Sequence, residues 1–342
     1  MAMDTQLEKR KAQWRQCFSM QGESKRLYLV HWQDNSLTRP QPHPDQYDLR
    51  LEWAVAKYES LVNQMEWLDD HKLPFLDVFT GTEIFAEAFG CSVHRSAENM
   101  PFALPCVHSA AEAAKLRVPD VAATPLADLF NLADRLRERT DNQALVRLPD
   151  IQSPIDIAAL IWDKNDFYPA MLTAPEAVLE LTGKVQELLT AFLDEWFARY
   201  GTEYIAHFPD YFMDSGMTLS EDEIGALSSE MFRQFSLPNL EALSARYGGL
   251  GIHCCANAQH QWELLQQIPD LRLLNLVQPP EVLLEAYEFF ADTVVQMHAW
   301  AGDGDPRTWV QNLPARARVV LQAEAETKDE AKRLVDAFRE LE

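Results

Sequence analysis

The sequence is short of positive charge: 30 Lys and Arg stand against 53 Asp and Glu in 342 residues, a formal net charge of −23. A surface this negative repels phosphate backbones and anionic headgroups unless a basic patch is set into it. The densest basic run, Lys9-Arg10-Lys11 with Arg15, is too thin to be one, so neither nucleic acid nor a membrane surface is an expected partner. Long apolar runs are missing as well. No window approaches the roughly 18 to 20 apolar residues of a membrane span, and the polar stretch from Met1 to Met20 lacks the apolar segment of a secretory signal. The expected location is therefore the cytoplasm. Cysteine is scarce and odd in number, at positions Cys17, Cys91, Cys106, Cys254 and Cys255, which suits reduced thiols better than a disulfide framework. Neither G-x-G-x-x-G nor G-x-x-x-x-G-K-[ST] follows an apolar run, so a dinucleotide or P-loop site has no support.

What the chain does have is an ordinary apolar fraction, 47%, enough for a full core. Up to about Leu51 it is polar and broken, with Pro40, Pro42 and Pro44 close together, which reads as an ordered arm or extended connection. Apolar residues at helical spacing then predict a helix from Leu51 to Leu68. Beyond it, short apolar runs predict strands at Phe75–Phe79, Ala144–Leu148, Tyr204–Phe208, Leu250–Cys255, Leu271–Val277, Thr293–His298 and Arg318–Leu321, with an eighth near Val93 or Val107. Helical patterns run from Ala174 to Tyr200, Ser228 to Tyr247, Glu281 to Ala291 and Lys328 to Leu341. Strands alternating with helices imply parallel βα units. The expected fold is α/β, a (β/α)₈ TIM barrel, with a doubly wound sheet as the competitor. The expected organisation is an N-terminal helical and extended arm over residues 1–60, packed on a barrel over 61–342.

In Gly251-Ile252-His253-Cys254-Cys255, strand alternation turns His253 and Cys255 to one face, about 6 to 7 Å apart along the chain, and Cys254 to the other. Imidazole plus thiolate is a zinc-type pair that needs a third protein ligand and an open position for catalysis. Taken alone, the same pattern is also what a packed strand end looks like. His207, Asn275, Gln278 and His298 close other candidate strands, and in a barrel all such ends meet on one face. The carboxylates Asp210, Asp214, Glu221, Asp222 and Glu223 crowd the chain after His207; like charges so close can raise a pKa for general acid work, or simply form a solvated loop. Asp156 sits at a helix entry, able to cap it or to reach a pocket. Phe192 and Trp196, at helical spacing, read as core.

Four segments together are similar to motifs of the uroporphyrinogen decarboxylase superfamily. Leu227-Ser228-Ser229-Glu230-Met231-Phe232-Arg233-Gln234-Phe235-Ser236-Leu237-Pro238 resembles its L-S-P-E-M-F helix entry, and His253-Cys254-Cys255-Ala256-Asn257 its H-x-C-G-N strand. Asp150-Ile151-Gln152-Ser153-Pro154-Ile155-Asp156 resembles its D-x-Q-G-P-L-D segment, and Gly81-Thr82-Glu83 through Phe89-Gly90-Cys91 its G-T-G to A-F-G-C segment. The resemblance implies a (β/α)₈ barrel over roughly residues 75 to 325. It also implies one of two chemistries: cofactor-free decarboxylation, or zinc-dependent methyl transfer involving a corrinoid protein, coenzyme M or homocysteine. The decarboxylases' arginine-bearing segment has no counterpart, which brings the chain closer to the methyltransferase branch. By this resemblance His253 and Cys255 fall on the zinc pair and Asp222 on a loop carboxylate. The methyltransferases' last-strand cysteine is absent, which leaves Glu324 or His298 as candidates to complete the metal site.

The resulting expectation is a zinc methyltransferase acting on a small methylated compound or a corrinoid protein. Asp222 and His207 are its catalytic candidates, and Asp156, Asn275, Gln278 and His298 its substrate-binding ones. A metal-free carboxy-lyase and a non-catalytic small-molecule-binding barrel are the alternatives, and a homodimer is compatible with each.

Overall fold

The computed structural model describes residues 2–21, 26–32, 36–300 and 310–340. Its largest sheet is parallel throughout. Strand β1 (Arg26–Trp32) pairs along its whole length with the last strand, β9 (Val319–Ala325). The order then continues through β8 (Val295–Gln296), β7 (Leu271–Gln278) and β6 (Leu250–Cys254) to β5 (Met217–Ser220). On the other flank β2 (Phe75–Leu76) pairs in parallel with β3 (Leu145–Val146). A single parallel bridge, Arg147 to Ile205, joins β3 to β4 (Tyr204–Ile205), and another, Gln152 to Ser220, joins the segment after β3 to β5. The remaining seam, between β1 and the entry to β2, is closed by hydrogen bonds from His71 N to Tyr28 O (3.1 Å), Val30 N to Asp70 Oδ2 (3.0 Å) and Lys72 Nζ to Val30 O (2.8 Å). The chain is a (β/α)₈ barrel, and its C-terminal strand ends form a single mouth.

Strand β1 corrects the expected organisation. The first sixty residues supply a barrel strand rather than an arm laid on a finished barrel, and the helix Ala2–Phe18 ahead of it is also new. That helix is anchored through buried Arg10, which bonds Asp70 at 3.1 Å, and Trp14, whose indole N–H donates to His71 O at 2.9 Å. The eighth strand is found neither at Val93 nor at Val107. Val93 belongs to an antiparallel hairpin, Ser92–His94 with Phe102–Leu104, and Val107 makes a single bridge to Trp162. The fourth barrel position is instead split, because β4 turns back through an antiparallel pairing with Phe212–Met213 before β5 takes over. Gly216, at φ +88°, makes that return. A Cβ there would stand 2.7 Å from Gly249 O, so a side chain has no room.

The helices follow their periodicity. Pro175–Tyr200 buries Val178, Leu181, Val185, Leu188, Phe192 and Trp196 on one face, each burial being worth roughly 1.5–3 kcal/mol, and stops at Gly201, φ +86°. Phe192 and Trp196 stack in the core, centroids 5.5 Å apart. The helix predicted at Leu51 starts earlier, at Tyr47, and ends at Trp67. The single helix predicted over Ser228–Tyr247 is two, Ser229–Phe235 and Leu237–Tyr247, since Pro238 can enter a helix's first turn but not its interior. Among the described residues no helix is long and apolar enough to cross a membrane.

Candidate metal centre and cavity

The ends of β2 to β6 and the loops after them converge on a cavity of ≈ 390 Å³ lined by Arg147, Asp150, His207, Ser220, Asp222 and His253, with Phe79, Met100 and Phe208 as apolar wall. At its side lie Asp222, His253 and Cys255, whose ligand atoms all fall within 4.8 Å of one another. Strand alternation works as expected: Cys254 is fully buried, His253 half-buried and Cys255 exposed.

The imidazole of His253 is fixed from behind. Its Nδ1 lies 2.6 Å from Asn275 Oδ1, and the Asn275 amide NH₂ donates to Met297 O. The amide oxygen must therefore accept, so Nδ1 carries the proton and Nε2 keeps its lone pair. This is the second-layer arrangement that metal-binding histidines use. Asp222 Oδ1 accepts from Cys255 N at 2.6 Å, which ties the two ligand-bearing loops together. The backbone N–H groups of Asp222 and Glu223 donate to the two carboxylate oxygens of Asp156, at 2.8 and 2.9 Å. Gln278 donates to Cys255 O and Ala256 O, at 3.2 and 2.8 Å. Asp156, Asn275 and Gln278, expected to bind substrate, are buried and act instead by holding the residues that reach the cavity.

Two expected zinc-completing residues lie elsewhere. His298 is buried against Tyr287, 4.7 Å between ring centroids; its Nδ1 accepts from Leu276 N at 3.0 Å and its Nε2 meets Gln296 Oε1 at 2.9 Å, so neither nitrogen is left for a metal. Burial lowers its pKa to about 3, keeping it neutral. Glu324 lines a separate cavity of ≈ 400 Å³ with His31, Lys57, Lys72 and Asp210. Of the carboxylates after His207, only Asp222 joins the group. Asp210 pairs with Arg147 at 3.1 Å, Asp214 with Arg272 at 2.6 Å and Glu223 with Lys164, while Glu221 is buried and accepts from Ser236 Oγ at 2.8 Å.

His207 faces the cavity and is neutral, because burial, then Arg147 and His253, hold its pKa well below the ordinary value. Its Nε2 stands 3.1 Å from Ser220 Oγ and 3.3 Å from Asp150 Oδ1. Asp150 was missed as a site residue, although the segment that carries it was recognisable as a motif. Burial raises its carboxyl to about 6, against the opposing pull of Gln152 and Arg147. Arg147, also missed, bridges Asp77 and Asp210. Arg39, on the wall common to both cavities, holds its guanidinium carbon over the Phe79 ring, 3.9 Å from the centroid.

The model of the uroporphyrinogen decarboxylase family matches residues 64–337, four-fifths of the chain. The chain belongs to the uroporphyrinogen decarboxylase family. Among solved structures it is similar to a methyltransferase from Methanosarcina mazei, at 10% identity, with 90% of this chain and 95% of that one covered and a TM-score of 0.60. That likeness is one of fold. No curated protein matches the sequence.

The donor chemistry of Asp222, His253 and Cys255 fits a zinc ion. They offer one O, one N and one S donor, three protein ligands at the edge of an open cavity, which is the catalytic rather than the structural zinc pattern. The lone pair of His253 Nε2 is available for it.

Proposed function

We propose that the chain is a zinc-dependent methyltransferase that moves a methyl group from a small methylated compound or a methyl-corrinoid protein to a thiol. The juxtaposition of Asp222, His253 and Cys255 carries this reading. Zinc at these residues supplies the positive charge that keeps a thiol deprotonated, and so nucleophilic, at neutral pH. The chain's own residues do the rest. Asn275 fixes the His253 tautomer, Asp156 holds the loop that presents Asp222, and neutral His207 with Asp150 offers a place to hold a proton at the cavity floor. Arg39, over the Phe79 ring, offers a guanidinium to an anionic group of the substrate.

The test is metal content of protein purified without chelator. About one zinc per chain, lost in His253→Ala and in Cys255→Ala, supports the reading and directs substrate screening toward thiol methylation. No zinc, and none taken up on addition, overturns it. One observation favours a second reading in that event: the raised carboxyl of Asp150, 3.3 Å from His207 and beside Arg147, suits a metal-free decarboxylase that must deliver a proton. Product analysis with small carboxylic acids then separates such a lyase from a barrel that binds without turnover.

A further inference from the structure

Cys91 and Cys106 stand outside the metal centre, at the two ends of the hairpin Ser92–His94/Phe102–Leu104. Their sulfurs are 3.3 Å apart, Cys91 donating its S–H to Cys106. Cys91 is buried behind the short helix Ile84–Ala88, its N–H bonded to Ala86 O, whereas Cys106 is exposed, its N–H bonded to Ile161 O. Each backbone is thus held independently by the barrel's surroundings, and the sulfurs meet because of it. The pairing lies at the base of a structure that borders the cavity. Met100, near the hairpin tip, is part of the cavity wall. Pro101 O lies 3.2 Å from where a Gly81 Cβ would stand, so the hairpin rests on the turn that also presents Thr80 and Thr82 to the cavity. Gln41 Nε2 donates to Ala97 O at 3.3 Å, linking the tip to the segment that carries Arg39.

We propose that Cys91 and Cys106 form an oxidative modification site, closing to an intramolecular disulfide in the presence of a hydroperoxide and clipping the base of the hairpin at the edge of the cavity. The order of events follows from exposure. The Cys106 sulfur, as thiolate, attacks one peroxide oxygen; the O–O bond breaks, Cys106 becomes a sulfenic acid and hydroxide leaves to take up a proton as water. The Cys91 sulfur then attacks the Cys106 sulfur, the S–O bond breaks and the S–S bond forms. The hydroxyl departs with the Cys91 proton as a second water, so the two thiols lose two electrons and the peroxide gains them. The S–H bond received from Cys91, with His108 nearby, lowers the Cys106 pKa and raises that of Cys91, which makes Cys106 the attacking partner and Cys91 the resolving one. This site does not depend on zinc or on the reaction assigned to the cavity.

The test uses the full chain with hydrogen peroxide as the probe. After treatment, unfolding in denaturant and alkylation, three of the five cysteines should remain alkylatable. A digest should then contain one peptide pair joined through Cys91 and Cys106. In Cys91→Ser, dimedone should label Cys106; in Cys106→Ser, Cys91 should stay unlabelled. Cleavage by trypsin at Arg95, inside the hairpin, should slow at least several-fold in the oxidised wild type and not in either variant. Five alkylatable thiols after treatment, dimedone on Cys91 in Cys106→Ser, or recovery of Cys106 in a disulfide between two chains would each overturn the proposal.

Discussion

On one side of the barrel mouth, Lys57 and Arg147 close on Asp77 at 2.6 and 3.1 Å, Arg147 reaches on to Asp210, and Lys72 donates to Val30 O. On the other side, Asp156, Glu221 and Asp222 accept from backbone N–H groups and a serine hydroxyl, with no Lys or Arg ion pair to them among the described residues. The first side neutralises its own buried charge. The second has no such cation built in, and it is there that an imidazole, a thiol and a carboxylate converge. Burial would raise Asp77, but Arg147 and Lys57 outweigh it and hold that carboxyl well below its usual range. Burial does raise Asp156, to about 8, against the N–H bonds it accepts from the Asp222 and Glu223 backbone, whose side-chain carboxylates add to the rise. The same residue type thus ends in opposite states because one side has cations built in and the other has none.

The comparison can be broken most severely at Asp77. Asp77→Asn leaves Lys57 and Arg147 without their shared counter-charge, and should cost about 3–5 kcal/mol in urea unfolding while leaving the metal ligands in place. At Asn275, on the other side, Asn275→Leu should leave the fold assembled but free the His253 ring, lowering zinc affinity roughly 10–100-fold in a competitive chelator titration; unchanged affinity would show that the tautomer is set some other way.

Glu83 tests whether an uncompensated buried acid costs stability away from the ligands. It is 2% exposed, and burial, reinforced by Glu87, raises it from 4.5 to about 7. A carboxyl raised on folding contributes stability that is complete below pH 4.5 and lost as pH climbs through about 7. Wild type should therefore weaken between pH 5 and 8, by at most about 3 kcal/mol at 1.36 kcal/mol per pH unit. Thermal or urea unfolding of Glu83→Gln should show a flatter profile over that range. The smallest effect belongs to Lys164, half exposed beside Glu223. Lys164→Ala should change stability by less than about 1 kcal/mol and, by removing a cation from beside Glu223, raise zinc affinity slightly; a fall in affinity would contradict the electrostatic contrast.

Much of the architecture was readable in advance. Leu250–Cys254 and Leu271–Gln278 announce themselves as buried strands through nearly continuous apolar runs, and Pro175–Tyr200 through its periodic stripe. Arg26–Trp32 did not stand out, because Arg26, His31 and Trp32 dilute its apolar centre and a proline-rich stretch follows. Met217–Ser220 is four residues long and joined to an acidic run, too short for any period to show. In the site, His253 and Cys255 were legible because a strand turns alternate residues to one face. Asp222 was legible as one carboxylate among several.

The amino-acid sequence by itself determined the alternation of strands and helices, the family, and the pairing of His253 with Cys255, since all of these rest on local periodicity and spacing. Only the tertiary structure decided that Asp222 joins them while Glu324 and His298 do not, that Asp156, Asn275 and Gln278 work from behind, and that Asp150 shares the cavity with His207. Those outcomes depend on which loops meet across the barrel mouth and on which buried charge finds a counter-charge there. Closure of the whole ring sets both.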